Sequence, residues 1–528
     1  MIKQEDERSA FLSGALALTV SVFVVKLIGY IYKLPLSHVL GDEGMGYFNS
    51  AYSVFSFFYM ISLGGVPRAV AVCVADARFK YGMSAARRIL SLSLKMFLLL
   101  GITFALLLMS FSGFFAKIIG NSLAKLSLIC IAPSLSFVAA AGVLRGYLNG
   151  VGKLRSVALS EILDGVSKFV TGLALALYAS RHGYSVYVVS AYTVLGVSIG
   201  AFVGALFMLI CSKIENIDEK EGQKYDLKEN DRDVVRKIFR ISAPITLSSA
   251  IMGATGIIDL ALIMKRLISV GFSEVEAVSL YGNFTTLVIP LLNLISAFVS
   301  PLATATMPSV AKQKALNSSD EYYGLVEQII FLTSFFISPL AFGYCFFADD
   351  ILLILFNDAS ARVAAPLLSI ASASVIPSAL LIVVNAILEA SGRYRTPLVS
   401  MSVGAAVKLV SAYLLIGRIG IFGAPVSTAL CYLTSFLISA VALRTSQSLK
   451  RSVVRSAALP FFLAAAILVA ARVVYVLIPM GEGNARIFMP FVVLITLIYI
   501  GFGWIFMRKR MAFLENYVKI AKKRQSAL

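Results

Sequence analysis

Five basic side chains, Lys26, Arg68, Lys168, Arg266 and Lys408, sit inside apolar stretches long enough to cross a bilayer. A cation at that depth is costly and usually faces a polar cavity. Several together repel one another unless an anion enters, and a pyrophosphate offers Arg and Lys strong charge-assisted hydrogen bonds. Thr19, Lys26 and Lys33 recur every seven residues, as do Asp259 and Arg266, so each of those helices carries a polar stripe on one face. Arg68 follows Gly64-Gly65-Val66-Pro67, where small residues and a proline bend a helix and admit a close backbone. Lys26, Arg68 and Arg266 are the candidate anion-binding residues. Asp259 is the candidate carboxylate for a coupling cation, Na+ or H+.

Each of these also has a purely structural reading. Lys26 and Lys33 reach an interface by snorkelling, and so does Arg266 near the outer end of its helix. Arg68 anchors a bent backbone, and Asp259 neutralises a neighbouring cation. Glu161, Asp164 and Lys168 share a helical face, with Asp164 and Lys168 at the spacing of a local ion pair. Arg145 with Asn149, and Asn385 with Glu389, lie near helix ends, where gate and interface roles fit equally. Arg145, Asn149, Asp164, Lys168, Asn385, Glu389 and Lys408 are therefore gate or structural polar candidates.

Helices of spanning length must position these groups. Over 528 residues the chain is 59% hydrophobic and only 14% charged, beyond ordinary globular usage. Ala10 to Tyr32 reads as a retained first span, because the mixed charges before it and the missing small-residue cleavage site do not fit a signal peptide. A sliding window gives six candidate spans between 10 and 211, six between 236 and 443, and two at 454–477 and 486–507. The expected fold is an all-α polytopic membrane protein of about fourteen transmembrane helices. With a cytoplasmic N-terminus, inner loops and tails take roughly 32 Lys and Arg against roughly 8 outside, so both termini are expected in the cytoplasm. The net charge of +19 then follows from topology and contact with anionic lipids, without nucleic acid.

The stretch 213–240 holds eight basic and eight acidic residues, too polar to span. It is expected to separate an N-lobe at 1–212 from a C-lobe at 241–445, followed by two helices and a basic tail at 446–528. The lobes resemble each other at an offset of 240: Gly152-Lys153-Leu154-Arg155-Ser156 matches Gly392-Arg393-Tyr394-Arg395-Thr396. The same offset places Ser160 on Ser400, Lys168 on Lys408, Lys26 on Arg266, Thr19 on Asp259, Arg145 on Asn385 and Asn149 on Glu389. Six spans is an even number, so two pseudo-symmetric six-helix lobes form a parallel repeat about an axis along the membrane normal, with a central cavity between them.

Other chemistries find little support. Five scattered cysteines form no C-x-x-C pair, and His38 and His182, the only histidines, both fall in expected outer loops, so neither a disulfide framework nor a metal site is expected. No G-x-x-x-x-G-K-[ST] is present, so the chain is not expected to hydrolyse ATP, and no cofactor is called for. No acid/base constellation points to an enzyme.

Gly41-Asp42-Glu43-Gly44-Met45-Gly46-Tyr47-Phe48 and the apolar run to Leu63-Gly64-Gly65-Val66-Pro67-Arg68-Ala69 resemble the loop and second helix of polysaccharide-type flippases. Leu144-Arg145-Gly146-Tyr147-Leu148-Asn149-Gly150 and its echo before Gly392 are similar to theirs too. These belong to the multidrug/oligosaccharidyl-lipid/polysaccharide exporter superfamily, whose sporulation protein B and lipid II flippase branches are the nearest. The resemblance implies two lobes working by rocking alternating access in a bacterial cytoplasmic membrane. It implies a basic cavity for the pyrophosphate of an undecaprenyl-linked sugar and a groove for the lipid tail on the last two helices. Lys26, Arg68 and Arg266 occupy comparable helices. The asparagine-arginine and acidic signature of Gram-negative lipid II flippases is replaced here by Gly-Val-Pro-Arg. The expected function is transfer of a polyprenyl-pyrophosphate-linked saccharide, lipid II among the candidates, from the inner to the outer leaflet. Its partners would be that substrate, anionic lipids and cell-wall synthesis proteins. The rivals are a multidrug/cation antiporter of the same superfamily and a nonenzymatic envelope or spore assembly factor.

Overall fold

The computed structural model describes residues 2–63, 65–218, 230–295, 298–300, 302–303, 310, 319–356, 359–393, 395–443, 447–477 and 488–503. Among the described residues the chain is helical, with no strand. Nine described helices are long and apolar enough to cross a membrane, or ten if one bent pair counts as a single span. Two of those nine stretches, Val24–Tyr81 and Arg395–Leu443, are long enough for two crossings each. Both are broken internally, so the pattern agrees with about fourteen spans.

Helix α1, Ile2–Leu63, carries the first break. Gly41 stands at φ 63°, ψ −178°, a conformation that glycine reaches without a Cβ penalty. The Gly41-to-Phe48 motif, expected as a loop, is thus a sharp kink after which the helix resumes at once, and His38 lies on helix rather than loop. Helix α2, Val66–Tyr81, starts with proline in its first turn, where the missing N–H costs nothing. Helix α3 spans Met83–Ser110. Helices α4, Ser134–Val151, and α5, Leu154–Arg181, are separated at Gly152, whose φ of 88° closes the α4 C-terminus. Helix α6 runs Val186–Asp218, α7 Asp231–Ser269 and α8 Glu274–Asn283. A capping box starts α8: Ser273 Oγ accepts the Glu276 N–H at 3.2 Å, and the Ser273 N–H donates to Glu276 Oε2 at 2.8 Å.

The polar stretch 213–240 is narrower as a connection than expected. Helix continues to Asp218 and resumes at Asp231, because Glu, Lys and Arg are good helix formers and ion pairs hold the start of α7. Arg88 Nε donates to Asp231 at 2.8 Å, while Asp76 accepts Lys237 at 2.9 Å and Lys80 at 2.8 Å. The middle of this connection, 219–229, and the basic tail Lys519–Arg524 lie outside the described residues.

Further along lie α9, Ser319–Phe346, α10, Val375–Ala390, α11, Arg395–Ile419, α12, Gly423–Leu443, and α13, Gln447–Leu477. The repeat is visible in local geometry. Gly152 and Gly392 both take positive φ, and each is followed by a residue whose N–H reaches back, Lys153 to the Leu148 carbonyl at 2.8 Å and Arg393 to the Leu388 carbonyl at 2.9 Å. Both matched serines, Ser160 and Ser400, are fully buried and bond to the carbonyl three residues earlier.

Two compact units are distinguished, one comprising 1–298 and 405–427, the other 299–404 and 428–528. Within the first unit α8 packs tightly on α1. A Cβ at Gly46 would collide with the Val278 carbonyl and one at Gly282 with the Asp42 carbonyl. Lys33 Nζ donates to the Thr285 carbonyl at 2.9 Å and Asn49 Nδ2 to Thr286 Oγ1 at 2.8 Å. In the second unit, Asp350 is almost fully buried, accepting the Tyr475 hydroxyl at 2.8 Å and Arg472 at 3.4 Å. Phe347, Leu468, Tyr475, Phe488 and Ile495 form the apolar cluster around it. Tyr475→Phe keeps the ring and removes the donor, so it should lower stability by about 2 kcal/mol, read as a drop in the thermal midpoint of purified protein.

Candidate functional site

Five helices of the first unit line a cavity of about 550 Å³, α2 through Pro67 alone. Kinked α1 supplies Tyr52, Phe55, Ser56, Tyr59 and Met60, which share one helical face by their three- and four-residue spacing. Their rings form a ladder, with Tyr52 to Phe55 and Phe55 to Tyr59 both at 5.7 Å. From α4 come Val138, Ala141, Gly142 and Arg145, and from α5 Ser160, Asp164 and Lys168. The α6 wall is made of small residues and one methionine, Ala201, Gly204, Ala205 and Met208.

Glycine sets the distance between these walls. Gly196, Gly200 and Gly204 recur every fourth residue along α6 and face α5. A Cβ at Gly196 would meet the backbone of Gly172, one at Gly200 would meet Lys168 Cγ and lie 2.8 Å from the Asp164 carbonyl, and one at Gly204 would lie 3.0 Å from Asp164 Cβ. On the opposite side Gly146 and Gly150 of α4 bear on Pro67, Val70, Ala71 and Val74 of α2. The Leu144-to-Gly150 motif is therefore a helix-packing device that also fixes where Arg145 points.

The charges at this site are balanced. Arg145 pairs with Glu161 at 3.2 Å, Glu161 accepts Ser21 Oγ at 3.2 Å, and Lys168 Nζ donates to Asp164 at 2.7 Å. The four side chains are 15–29% exposed, dry enough for the pairs to interact more strongly than surface pairs do. Arg145 Nε and Asp164 Oδ1 are buried with no hydrogen-bond partner among the described residues. Each pair leaves hydrogen-bonding capacity that an incoming polar group can use.

The anion-binding candidates lie elsewhere, and none of Lys26, Arg68 and Arg266 lines this cavity. Lys26 is partly buried on α1, where its neighbours Val25 and Ile28 pack near Gly165. Arg68 is exposed in the first turn of α2, directly after the cavity residue Pro67. Arg266 sits 4.3 Å above the Tyr413 ring, donates to the Tyr413 carbonyl at 3.2 Å and fills the space left by Gly417.

Asp259 is bonded to Lys408 from α11, so a cation borne by the protein itself occupies the carboxylate proposed for coupling. Lys168 and Lys408, matched in the repeat, thus choose different carboxylates: Lys168 takes Asp164 on its own helix, while position 404, where the offset would put the counterpart, is Gly404. Asn149 Oδ1 is buried without a partner among the described residues. In the second unit Asn385 accepts Ser439 Oγ at 2.9 Å, and that hydroxyl is also 2.9 Å from Ser400 Oγ, while Glu389 lies one helical turn further on. Tyr52 and Tyr59 are the site residues that the sequence reading missed. Their signal was a polar and aromatic stripe, Tyr52, Ser56 and Tyr59, within an otherwise apolar span.

Comparison with known proteins agrees with this architecture. A family model described as lipid II flippase MurJ matches residues 36–499. "Stage V sporulation protein B" of Bacillus subtilis (strain 168) is 22% identical over 361 residues, covering 67% of this chain and 68% of that protein. A structure titled "Lipid II flippase MurJ, inward closed conformation" aligns at a TM-score of 0.69 with 14% identity, over 94% of this chain and all of that one. An inward-facing multidrug resistance MATE family transporter of the MOP superfamily aligns at 0.61 with 15% identity, over 83% of this chain and 99% of that one. At these identities the two structures speak for the fold, and the family model speaks for descent. With 464 of 528 residues inside that match, this multi-pass membrane protein belongs to the lipid II flippase MurJ family.

Proposed function

We propose that the protein carries a polyprenyl-diphosphate-linked saccharide, with the peptidoglycan precursor lipid II as the leading candidate, from the inner to the outer leaflet by alternating access. The observation that carries this reading is the family match along nearly the whole chain. The polar cavity supports it: a passage for a sugar-diphosphate head needs cations, hydrogen-bonding groups and aromatic faces, and Arg145, Lys168, Tyr52 and Tyr59 supply all three. Lys26, Arg68 and Arg266 serve in this reading as further contacts for the diphosphate along its path. The membrane is the bacterial cytoplasmic membrane with both termini inside, and reset is driven by the membrane potential or a cation gradient.

The test is depletion of the protein in cells whose lipid-linked precursors are labelled. Precursor should accumulate in the inner leaflet, and wild type should rescue while Lys26→Ala and Arg68→Ala, inserted at equal levels, rescue at least tenfold less. An unchanged leaflet distribution on depletion would sink the reading. A second reading, a cation antiporter, is favoured by one observation, the Asp164 carboxylate in the cavity. It expects efflux of a cationic dye that is lost in Asp164→Asn and retained in Lys26→Ala.

A further inference from the structure

We propose that the hairpin joining α5 to α6 carries a saccharide-binding platform, built from the rings of Tyr178, His182, Tyr184 and Tyr192, that takes the substrate's sugar head on the outer side of the membrane. This role rests on the flippase reading and its topology, and the platform lies outside the cavity. The four rings close a circuit, Tyr178 to His182 at 4.2 Å, His182 to Tyr184 at 6.3 Å, Tyr184 to Tyr192 at 5.9 Å and Tyr192 back to Tyr178 at 6.5 Å. The His182 and Tyr192 rings stand within 18° and 16° of the Tyr184 plane. The turn that carries them is tightly bonded. Gly183 takes φ 71° and donates to the Ser180 carbonyl at 3.0 Å, the Tyr184 N–H donates to the Ala179 carbonyl at 3.3 Å, and the Ser185 carbonyl accepts the N–H groups of Val188 and Val189 at 2.9 and 3.0 Å. Rings fixed this way bind without first ordering a loop.

The platform is two-sided chemically, as a pyranose is. The C–H bonds on one face of a sugar ring pack on the electron-rich face of an aromatic ring, while the hydroxyls around its edge need hydrogen-bond partners. Tyr178 and Tyr184 are 50% and 45% exposed, and His182 is exposed beside them. Among the described residues the hydroxyls of Tyr178, Tyr184 and Tyr192 make no hydrogen bond, so all three are open to a ligand. His182 Nδ1 lies 2.8 Å from the Tyr178 carbonyl. A carbonyl only accepts, so Nδ1 carries the hydrogen, and Nε2 of the neutral ring is left as an acceptor for a sugar hydroxyl. Exposed Arg181 and Ser185 flank the rings. Single tyrosines ranged around the bilayer rim form an interfacial belt, whereas here four rings share one tip. Helix α5 has 28 residues, about 42 Å of helix, against a hydrocarbon core of about 30 Å. The tip therefore stands at the headgroup layer, where a translocated head emerges.

The test is saturation-transfer NMR of N,N′-diacetylchitobiose and of the matching tetrasaccharide on the full-length protein in phosphatidylcholine nanodiscs, for wild type, Y178A/Y184A, Y178F/Y184F and Y52A/Y59A. Wild type should bind the disaccharide saturably, with transfer strongest at the ring C–H protons of one face. Y178A/Y184A should weaken binding about tenfold or more at an unchanged thermal midpoint, because both rings are largely exposed. Y178F/Y184F, which keeps the rings, should stay within about threefold. Y184A alone, in the turn between the helices, carries the same comparison if the double alanine variant does not fold. Undiminished binding in the alanine variants overturns the platform and leaves the tip an interfacial anchor. Loss confined to Y52A/Y59A also overturns it and puts the sugar in the cavity. Tetrasaccharide binding about tenfold tighter than disaccharide overturns the exit role and assigns the platform to polymerised glycan outside the cell. If wild type binds neither sugar, the platform is wrong whatever precursor depletion shows. If it binds and depletion leaves the leaflet distribution unchanged, the flippase reading and the exit role fall while the platform remains.

Discussion

Gly196→Leu is expected to leave almost no folded protein, with a loss of about 3 kcal/mol, whereas Gly256→Leu in the same membrane is expected to be tolerated. At Gly196 the obstacle is the backbone of Gly172, which has no rotamer to move aside. Separating α5 from α6 to make room would pull apart the wall that holds Asp164 and Lys168, so the site would be lost with the packing. Small residues at such helix contacts matter in a bilayer because lipid is as apolar as leucine, and close van der Waals approach carries much of the association. Gly256 has nothing within 4 Å of its would-be Cβ, which makes it the matched control. Thermal midpoints and monodispersity by size-exclusion chromatography read the outcome. Wild-type behaviour of Gly196→Leu would mean that this helix contact is not what spaces the cavity.

The second large effect concerns Asp259 and Lys408. Asp259→Ala leaves a largely buried ammonium, 14% exposed, without its carboxylate, and should cost about 3 kcal/mol. Replacing both partners together, Asp259→Leu with Lys408→Met, removes charge from both sides and should recover most of that loss, giving a coupling energy of about 2 kcal/mol in the double-mutant cycle. The same pair of proteins separates stability from transport. If the stable double variant still moves substrate, the carboxylate of Asp259 is not required for coupling, and Lys408 is there to hold two helices together. If it is stable and silent, this pair belongs to the driving machinery.

Much of the fold was legible because it depends on local pattern. Apolar run length set the spans, and Gly152 and Gly392 announced two equivalent helix ends, both found at positive φ. The Asp164 to Lys168 pair was legible for the same reason, as four residues on one helix can meet nowhere else. Partner choice across the chain was not. Lys408 lies 149 residues from Asp259 and Arg266 lies 147 from Tyr413, and no periodicity encodes which helix stands beside which. Lys26, Arg68 and Arg266 stand out in the sequence by their depth in apolar runs, yet the cavity lies where glycine and alanine leave space. The Gly41 motif was misread as a loop because a glycine-rich run near charges signals a turn, whereas here one glycine bends the helix and the others let neighbours approach.

Asp350 gives the order of biogenesis a physical meaning. Its hydroxyl donor, Tyr475, is synthesised 125 residues later, so during translation that hydrogen bond cannot form until α13 has been made. The apolar cluster around Asp350 therefore closes only after Leu468 and Tyr475 of α13, with Phe488 and Ile495 beyond it, have joined Phe347.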